Sequence, residues 1–291
     1  MSKLSPKKPK LIVIAGPTAV GKTSFAISLA QKLKTVILSA DSRQVYKGMP
    51  IATAQPDMVE RNGVPHFLIG HIDPKDHYSA GQFEKEAIQL LEKLFKKYDT
   101  VILTGGTGLY IDAVINGLDD FPAIDPTIRQ ELNEMFTNFG LTPLLKELEK
   151  ADPTYAEIVD KQNHRRVIRA LEFIRSSGRP YSSFRKNKPK DRFFETKIIL
   201  LERDRQELYE RINRRVLLML EAGLVKEAKK WYPLRSYNST QTVGYKELFE
   251  YFDGAITLER AVELIQQNSR RYAKRQLTWF RKLDVDEVIS L

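Results

Sequence analysis

Apolar residues in this chain follow two periods, and the change from one to the other marks its architecture. The stretches KLIVIA (10–15), TVILSA (35–40) and TVILTGG (100–106) are short, continuous and rich in β-branched side chains. Runs of that kind, closed by glycine or polar residues, are the pattern of strands buried on both faces. Between them the apolar positions recur with helical spacing, as at Phe25, Ile27, Leu29, Ala30 and Leu33 of KTSFAISLAQKL (22–33). SAGQFEKEAIQLLEKLFKKY (79–98) is amphipathic, with Ser79 in the N-cap position. DSRQVYKGM (41–49) reads as a loop leaving the second strand, and VPHFLIGHIDP (64–74) as a strand and turn. Strands alternating with helices predict a parallel sheet flanked by helices, an α/β fold.

From Asp125 to about Ser177 the strand period disappears and only helical patterns remain. DPTIRQELNEMF and ADPTYAEIV each open with Asp-Pro, an N-cap followed by proline at the first helical position. NHRRVIRALEFIRSSG is a further helix with Asn163 as cap and Gly178 as terminator. RPYSSFRKNKPKDRFFE (179–195) is basic, contains proline and reads as a loop; no role is assigned to residues 178–195. TKIILLERD (196–204) then returns to the sheet, and the remainder is helical: RQELYERINRRVLLMLEAG, LVKEAKKWY and LERAVELIQQNSRRYAKRQLTWFRK. The expected organisation is an α/β core over residues 1–120, a helical insertion over 121–190, and core completion with basic helices over 191–291.

Composition narrows the function classes. The 291 residues, 42% apolar and 29% charged, suit one large α/β domain with an insertion. The chain has no cysteine, which excludes disulfides, zinc thiolate sites and thiol catalysis and fits a reducing compartment. No apolar run is long enough for a membrane span, and the start MSKLSPKKPK lacks the apolar core of a secretory signal and reads as a frayed basic tail. A cytoplasmic protein is expected. The formal net charge of +10 is either a solubilising excess or the footprint of a polyanionic partner, and only clustering separates the two.

Candidate chemistry begins at AGPTAVGKTSFAI (15–27). Gly16, Pro17, Thr18, Ala19, Val20, Gly21, Lys22 and Thr23 fit the phosphate-loop pattern G-x-x-x-x-G-K-[ST], with a strand before and a helix after. Glycines let backbone N–H groups converge on phosphate oxygens, the helix N-terminus adds positive potential, and Lys22 supplies a point charge. Thr23 is the candidate Mg²⁺ ligand, since Mg²⁺ takes few protein oxygens beside phosphates and water. By motif this is an ATP-type site, specific for a di- or triphosphate but not for which one. The predicted fold is therefore P-loop NTPase-like, of the nucleotide-kinase kind, with a helical insertion domain. An ordinary NTPase adds an acid at a strand end, yet TVILTGGTGLY ends its strand in Thr104 and glycines. The acid near the loop is Asp41, a metal ligand, a cap or a general base. Ligands in such sheets sit at the C-terminal strand ends, so 16–23, Asp41 and Gly105 to Thr107 should share one crevice.

The basic clusters come late. RRYAKRQLTWFRK (270–282) holds Arg270, Arg271, Lys274, Arg275, Arg281 and Lys282 among Tyr272, Trp279 and Phe280, with no acid. Arg271, Lys274, Arg275 and Thr278 fall on one helical face, either a solvated face or a phosphate-contacting one. Arg165, Arg166 and Arg169 share a side of the 163–178 helix, with Ile168 and Leu171 turned to packing. NSTQTVGYKEL places Gln241, Tyr245 and Lys246 near the expected site. His66 and His71 lack the spacing of metal ligands, so structural or substrate-loop roles are expected.

GPTAVGKT (16–23), DSRQVYKGMPIATAQP (41–56), GGTGLY (105–110), RRVIRALE (165–172), TVGYKE (242–247) and RRYAKRQLTWFR (270–281), in this order, resemble the motifs of the tRNA dimethylallyltransferase family, in its bacterial form. The resemblance implies transfer of the dimethylallyl group of dimethylallyl diphosphate to the exocyclic amine of the adenine 3′-adjacent to the anticodon, in tRNAs reading codons that begin with U. It implies Asp41 as catalytic base, Thr107 where adenine and diphosphate meet, Lys22 as a catalytic cation, and 16–23 as the cradle of a leaving diphosphate with Mg²⁺ on Thr23. It implies tRNA contacts at Asp41, Ser42, Arg43, Gln44, Thr107, Arg129, Arg165, Arg166, Val167, Ile168, Arg169, Arg271, Lys274 and Arg275. Of these, Arg43 and Gln44 would hold the base, and Arg275 or a neighbour would reach the diphosphate. The expected partners are the tRNA anticodon stem-loop and dimethylallyl diphosphate, with no membrane and a monomeric chain. The family often has two adjacent histidines where this chain reads His66-Phe67. A free-adenylate isopentenyltransferase, a small-molecule kinase and a non-enzymatic RNA-binding protein are the alternatives. The arginine-rich 163–175 helix argues against the first, and the unexplained GGTGLY segment and basic C-terminal helix against the second. The joint presence of Lys22, Thr23 and Asp41 argues against the third.

Overall fold

A computed structural model of the chain describes residues 8–119, 124–185 and 188–291. Most of the basic start (1–7), residues 120–123 at the expected core–insertion boundary, and positions 186–187 of the basic stretch lie outside the described residues. The chain divides into two units, Met1–Gly117 with Asp191–Leu291, and Leu118–Lys190.

The first unit is an α/β fold in which period-two alternation sends each strand's side chains to two different cores. Its elements are β1 (Lys10–Ala15), α1 (Lys22–Leu33), β2 (Ile37–Ser39), the single turns α2 (Pro50–Thr53) and α3 (Met58–Arg61), β3 (His66–Phe67), α4 (Ala80–Leu94), β4 (Thr100–Thr104) and α5 (Gly108–Ile115). The second unit then contributes α6 (Pro126–Phe139), α7 (Thr142–Ala151), α8 (Pro153–Ile158) and α9 (His164–Ser177). The first unit resumes with β5 (Glu195–Glu202), α10 (Arg205–Glu221), α11 (Leu224–Trp231), α12 (Tyr245–Phe252), α13 (Leu258–Phe280) and β6 (Glu287–Ser290).

The six strands run in the order β3-β2-β4-β1-β5-β6, and every pairing is parallel, with Val13 opposite Leu103 and Ile198. Leu11, Val13, Leu38, Leu103 and Leu200 face one core with Phe83 and Leu91 of α4, Ile111 of α5 and Phe280 of α13. Ile12, Ile14, Ile37, Ile102 and Ile199 face the other with Ala26 and Ile27 of α1 and Leu208 and Ile212 of α10. Burial of each such side chain stabilises the fold by about 1.5–3 kcal/mol. The expected limits of β1 and α1 match the structure, and Ser79 does cap α4, in a reciprocal box with Gln82. α5, α12 and β6 lie where no element is read from the sequence, and β2 and β3 are shorter than their apolar runs.

The second unit packs Leu132, Leu144, Leu148, Val167, Ile168 and Leu171 into its own core. Asp125 and Asn163 cap α6 and α9, and Gly178 ends α9 at φ +68. The start of the stretch read as loop is ordered: Tyr181–Phe184 is a 3-10 turn. Buried Asp152 holds it, accepting from Ser182 N and Ser182 Oγ, both at 2.7 Å.

Candidate active site

The phosphate loop takes its shape from three residues at positive φ, Gly16 (+152), Ala19 (+62) and Gly21 (+121). A side chain at Gly16 would start 2.8 Å from the Leu201 carbonyl oxygen of β5, so only glycine lets the loop leave the sheet there. Lys22 donates its Nζ to the Gly16 and Pro17 carbonyl oxygens at 2.9 and 2.7 Å. The loop is also held by α10 and by Arg203, two residues before that helix. Arg203 Nε donates to Val20 O at 3.3 Å, Arg211 Nε to Ala19 O at 2.9 Å, and Arg215 reaches Thr18 Oγ1 at 3.5 Å.

These cations strain one another. Burial draws the Lys22 ammonium down to about 7, with the Asp41 carboxylate opposing the shift and the Arg215 guanidinium adding to it. Burial also lowers the Arg215 guanidinium from its ordinary value. A polyanion in the loop favours the charged form of Lys22, so binding above pH 7 takes up a proton, and affinity falls as pH rises through that value. Calorimetry of a prenyl diphosphate at pH 8, in buffers of different ionisation enthalpy, should show this uptake, and Lys22→Met should abolish it. Equal enthalpies in all buffers would exclude the assignment.

Asp41 follows β2 and forms an Asx turn, its Oδ1 accepting from Arg43 N (2.8 Å) and Gln44 N (3.3 Å). Oδ2 accepts no hydrogen bond among the described residues. The ends of β2 and β4 are locked together: Ala40 N donates to Thr104 O at 2.7 Å and Thr107 N to Ala40 O at 3.1 Å. A Cβ at Gly105 would lie 2.1 Å from Ala40 O, and one at Gly106 would lie 3.7 Å from Asp41 Oδ2. Thr107 Oγ1 accepts from Ser42 N (2.9 Å) and donates to Ser42 Oγ (3.2 Å). Tyr272 of α13 lies close by, and burial, with Asp41 nearby, pushes its phenol up to about 12.

Gln276 joins the two halves of this crevice. Buried on α13, it accepts from Thr18 N of the phosphate loop (2.8 Å) and donates to Gly106 O of the glycine turn (2.9 Å). Sequence reasoning missed it because a polar residue among arginines reads as surface. The available signal was its place on the stripe Ala273, Gln276, Phe280, all buried. Arg203, Arg211 and Arg215 were missed for the same reason.

The first unit brings 16–23, Asp41 and Thr107 to one end of the sheet. The resemblance implies that Gln44 holds the base, but its amide is instead committed within the protein. Oε1 accepts from Ser39 Oγ (3.0 Å), and Nε2 donates to Thr53 O (3.2 Å) and Ala54 O (2.9 Å), so it fastens the 41–49 loop to α2. Arg43 Nη1 donates to Asn238 O at 2.5 Å. Arg271, Lys274, Arg275 and Thr278 are exposed on one face of α13. Tyr245, expected near the site, is instead fully buried with its hydroxyl on Glu227 (2.8 Å).

In the second unit, Arg165 and Arg166 are exposed. Val167 and Ile168 are 0% and 4% exposed, so their side chains are packing residues and not RNA contacts, a correction dictated by the helix period. Arg129 is committed to buried Glu172, with Nη2 donating to Oε2 at 2.8 Å, and Arg169 lies 3.5 Å from the same carboxylate. His66 Nδ1 lies 2.9 Å from Val64 O, and His71 pairs with Glu86 at 3.1 Å. No group of three or more acidic or histidine side chains able to hold a metal occurs among the described residues.

A family model described as IPP transferase matches residues 44–283. The chain is 48% identical over 272 residues to tRNA dimethylallyltransferase 2 of Parabacteroides distasonis, covering 94% of this chain and 91% of the relative. It is 50% identical to the tRNA dimethylallyltransferase of Christiangramia forsetii, with 94% and 90% covered. Among solved structures, the tRNA isopentenylpyrophosphate transferase of Bacillus halodurans matches with TM-score 0.70 and 43% identity over 97% of this chain and 90% of that one. A eukaryotic dimethylallyltransferase acting on tRNA matches with TM-score 0.83 and 29% identity, over 97% and 74%.

Proposed function

Because the chain belongs to the IPP transferase family, we propose that it moves a dimethylallyl group from dimethylallyl diphosphate to the exocyclic amine of an adenine next to the anticodon of tRNA. The observation that carries this reading is the pairing, across Gln276, of a cation-lined phosphate loop with a carboxylate whose Oδ2 is uncommitted.

In the transfer, the allylic C–O bond breaks, the new C–N bond forms, and one N–H proton must leave. Diphosphate departs with the electron pair. Lys22, Arg215 and the loop N–H groups are placed before the reaction to stabilise the charge that grows on it. An adenine amine is a weak nucleophile because its lone pair is shared with the ring, so removal of its proton must accompany attack. Asp41 Oδ2 accepts that proton, while the two N–H groups on Oδ1 hold the carboxylate still. Thr107 and Ser42, bonded to each other at the neck between loop and carboxylate, place the amine.

The donor set also fits a hard divalent cation. Thr23 is exposed in the first turn of α1, and its hydroxyl has no partner among the described residues. One protein oxygen beside diphosphate and water suits Mg²⁺, which when bound would screen the diphosphate's charge. A kinase would need an acid at the end of β4, where this chain instead has Thr104, which donates to Ile14 O at 3.2 Å. No helix among the described residues is long and apolar enough to cross a membrane, and we place the enzyme in the cytoplasm.

Radiolabelled dimethylallyl diphosphate, supplied with unmodified tRNA or with free AMP, tests the reading. Label should enter tRNA. Transfer to AMP alone would make the chain a free-nucleotide enzyme, and transfer to neither would remove the prenyl-transfer reading.

A further inference from the structure

α11 carries a charge pattern that its own fold does not explain. Leu224 and Ala228 are fully buried, and Lys226, Lys229 and Lys230 stand at i, i+3 and i+4 on the opposite, exposed side. Like charges at those spacings cost a helix about 0.2–0.5 kcal/mol per pair. The helix dipole favours Lys229 and Lys230 in the last turn, but it disfavours Lys226 in the first. None of the three forms an ion pair among the described residues. The helix's acid, Glu227, is turned inward, where it accepts from Ile51 N and Ala52 N, both at 2.9 Å, and from the Tyr245 hydroxyl.

That inward carboxylate fixes where the lysines lie. It seats α11 on α2, the turn that follows the Asp41 loop. Trp231 Nε1 donates to Gly48 O at 2.9 Å, and a Cβ at Gly48 would lie 2.9 Å from the Trp231 ring and 3.7 Å from Lys230 Nζ. Lys229 lies over Phe252 at 4.6 Å and Tyr232 at 5.2 Å, Lys230 over Trp231 at 4.9 Å, and Arg235 over Tyr232 at 4.7 Å. Aromatic faces hold these cations in place without neutralising them. A stripe of positive charge with no ion pair among the described residues therefore runs on from the loop that holds the proposed base.

We infer that the Lys226–Lys229–Lys230 face of α11 binds the sugar-phosphate backbone of the RNA that presents the adenine to Asp41. The inference rests on the function proposed above. A base delivered to Asp41 brings its flanking phosphates with it, and this stripe is continuous with that loop. Backbone contacts of this kind position the RNA without reading its sequence.

The test compares Lys226→Gln/Lys229→Gln/Lys230→Gln with a control of equal charge loss, Lys93→Gln/Lys96→Gln/Lys97→Gln. The control residues are exposed at the other end of the sheet, just before β4. Binding of an anticodon stem-loop RNA is measured across a salt series. Each phosphate contact contributes about 0.7–0.9 to the slope of log K against log salt. The α11 triple should lose about 2 in slope and roughly tenfold or more in affinity at low salt. Its affinity for dimethylallyl diphosphate should not change, which also shows that it folds. An α11 triple with the wild-type slope, or a control that loses as much, overturns the inference. Failure of the proposed function is a separate result, read as absence of labelled transfer by the wild-type protein.

Discussion

Asp41→Asn is expected to lower kcat by about 10²–10⁴, the usual contribution of a positioned general base, while leaving tRNA affinity within a few-fold of wild type. The substitution is chosen for what it keeps. Asparagine retains an oxygen to accept from Arg43 N and Gln44 N, so the turn at 41–44 should persist. What it removes is the uncommitted Oδ2, which becomes an amide nitrogen that donates and cannot take a proton. The loss corresponds to about 2.7–5.5 kcal/mol of transition-state stabilisation. A second consequence follows from charge. Asp41 opposes the lowering of the Lys22 ammonium, so its neutralisation should move that ionisation further below about 7 and weaken diphosphate binding at pH 8. Single-turnover transfer with saturating tRNA separates these effects. If kcat stays within threefold of wild type, or if the whole loss lies in tRNA affinity, Asp41 is not the base.

What was legible in the sequence, and what was not, follows from the range of the forces involved. β1, the phosphate loop and α1 were readable because an apolar run, two glycines and a helical repeat lie side by side. α9 was readable because Asn163 and Gly178 stop it at both ends. α5 was not, since a helix starting from Gly-Thr-Gly, with Tyr110, Ile111, Ala113 and Val114 all buried, has almost no polar face to give it a period. β6 was missed because EVIS is short and mostly exposed and exists only through its ladder with β5, in which Val288 sits opposite Leu200. The site divides in the same way. Lys22, Asp41 and Thr107 stand in local patterns. Gln276 and Arg215 are functional candidates only because α13 and α10 return to the phosphate loop, a tertiary fact that no spacing records.

The glycine turn after β4 offers the second large effect. Gly105→Ala and Gly106→Ala differ by one position and should differ sharply in outcome. At Gly105 the added methyl would stand 2.1 Å from Ala40 O, 2.4 Å from Ala40 C and 2.8 Å from Ala40 Cα, all backbone. No rotamer change relieves that overlap, so β2 and β4 must part where Ala40 N meets Thr104 O and Thr107 N meets Ala40 O. Overpacking of this kind costs about 1–3 kcal/mol or more, which for a chain of this size lowers Tm by roughly 2–4 °C per kcal/mol. Asp41 follows Ala40 directly and Thr107 lies at the other end of the disturbed pair, so kcat should fall along with Tm. At Gly106 the methyl overlaps the Gln276 Nε2 group, at 2.3 Å, the end of a side chain that can swing away, and stands at ordinary contact distance from Gln276 Cδ (3.5 Å) and Asp41 Oδ2 (3.7 Å). The cost there is the loss of the Gln276 bonds to Thr18 N and Gly106 O. Gly106→Ala should therefore keep most of its Tm, and its loss should fall on the alignment of the phosphate loop with Asp41. Thermal melts and steady-state kinetics on the two variants separate a steric lock on the sheet from an alignment device across it. Equal Tm losses, or a Gly105→Ala enzyme of wild-type activity, would show that the backbone contact at Ala40 does not set the geometry of the base.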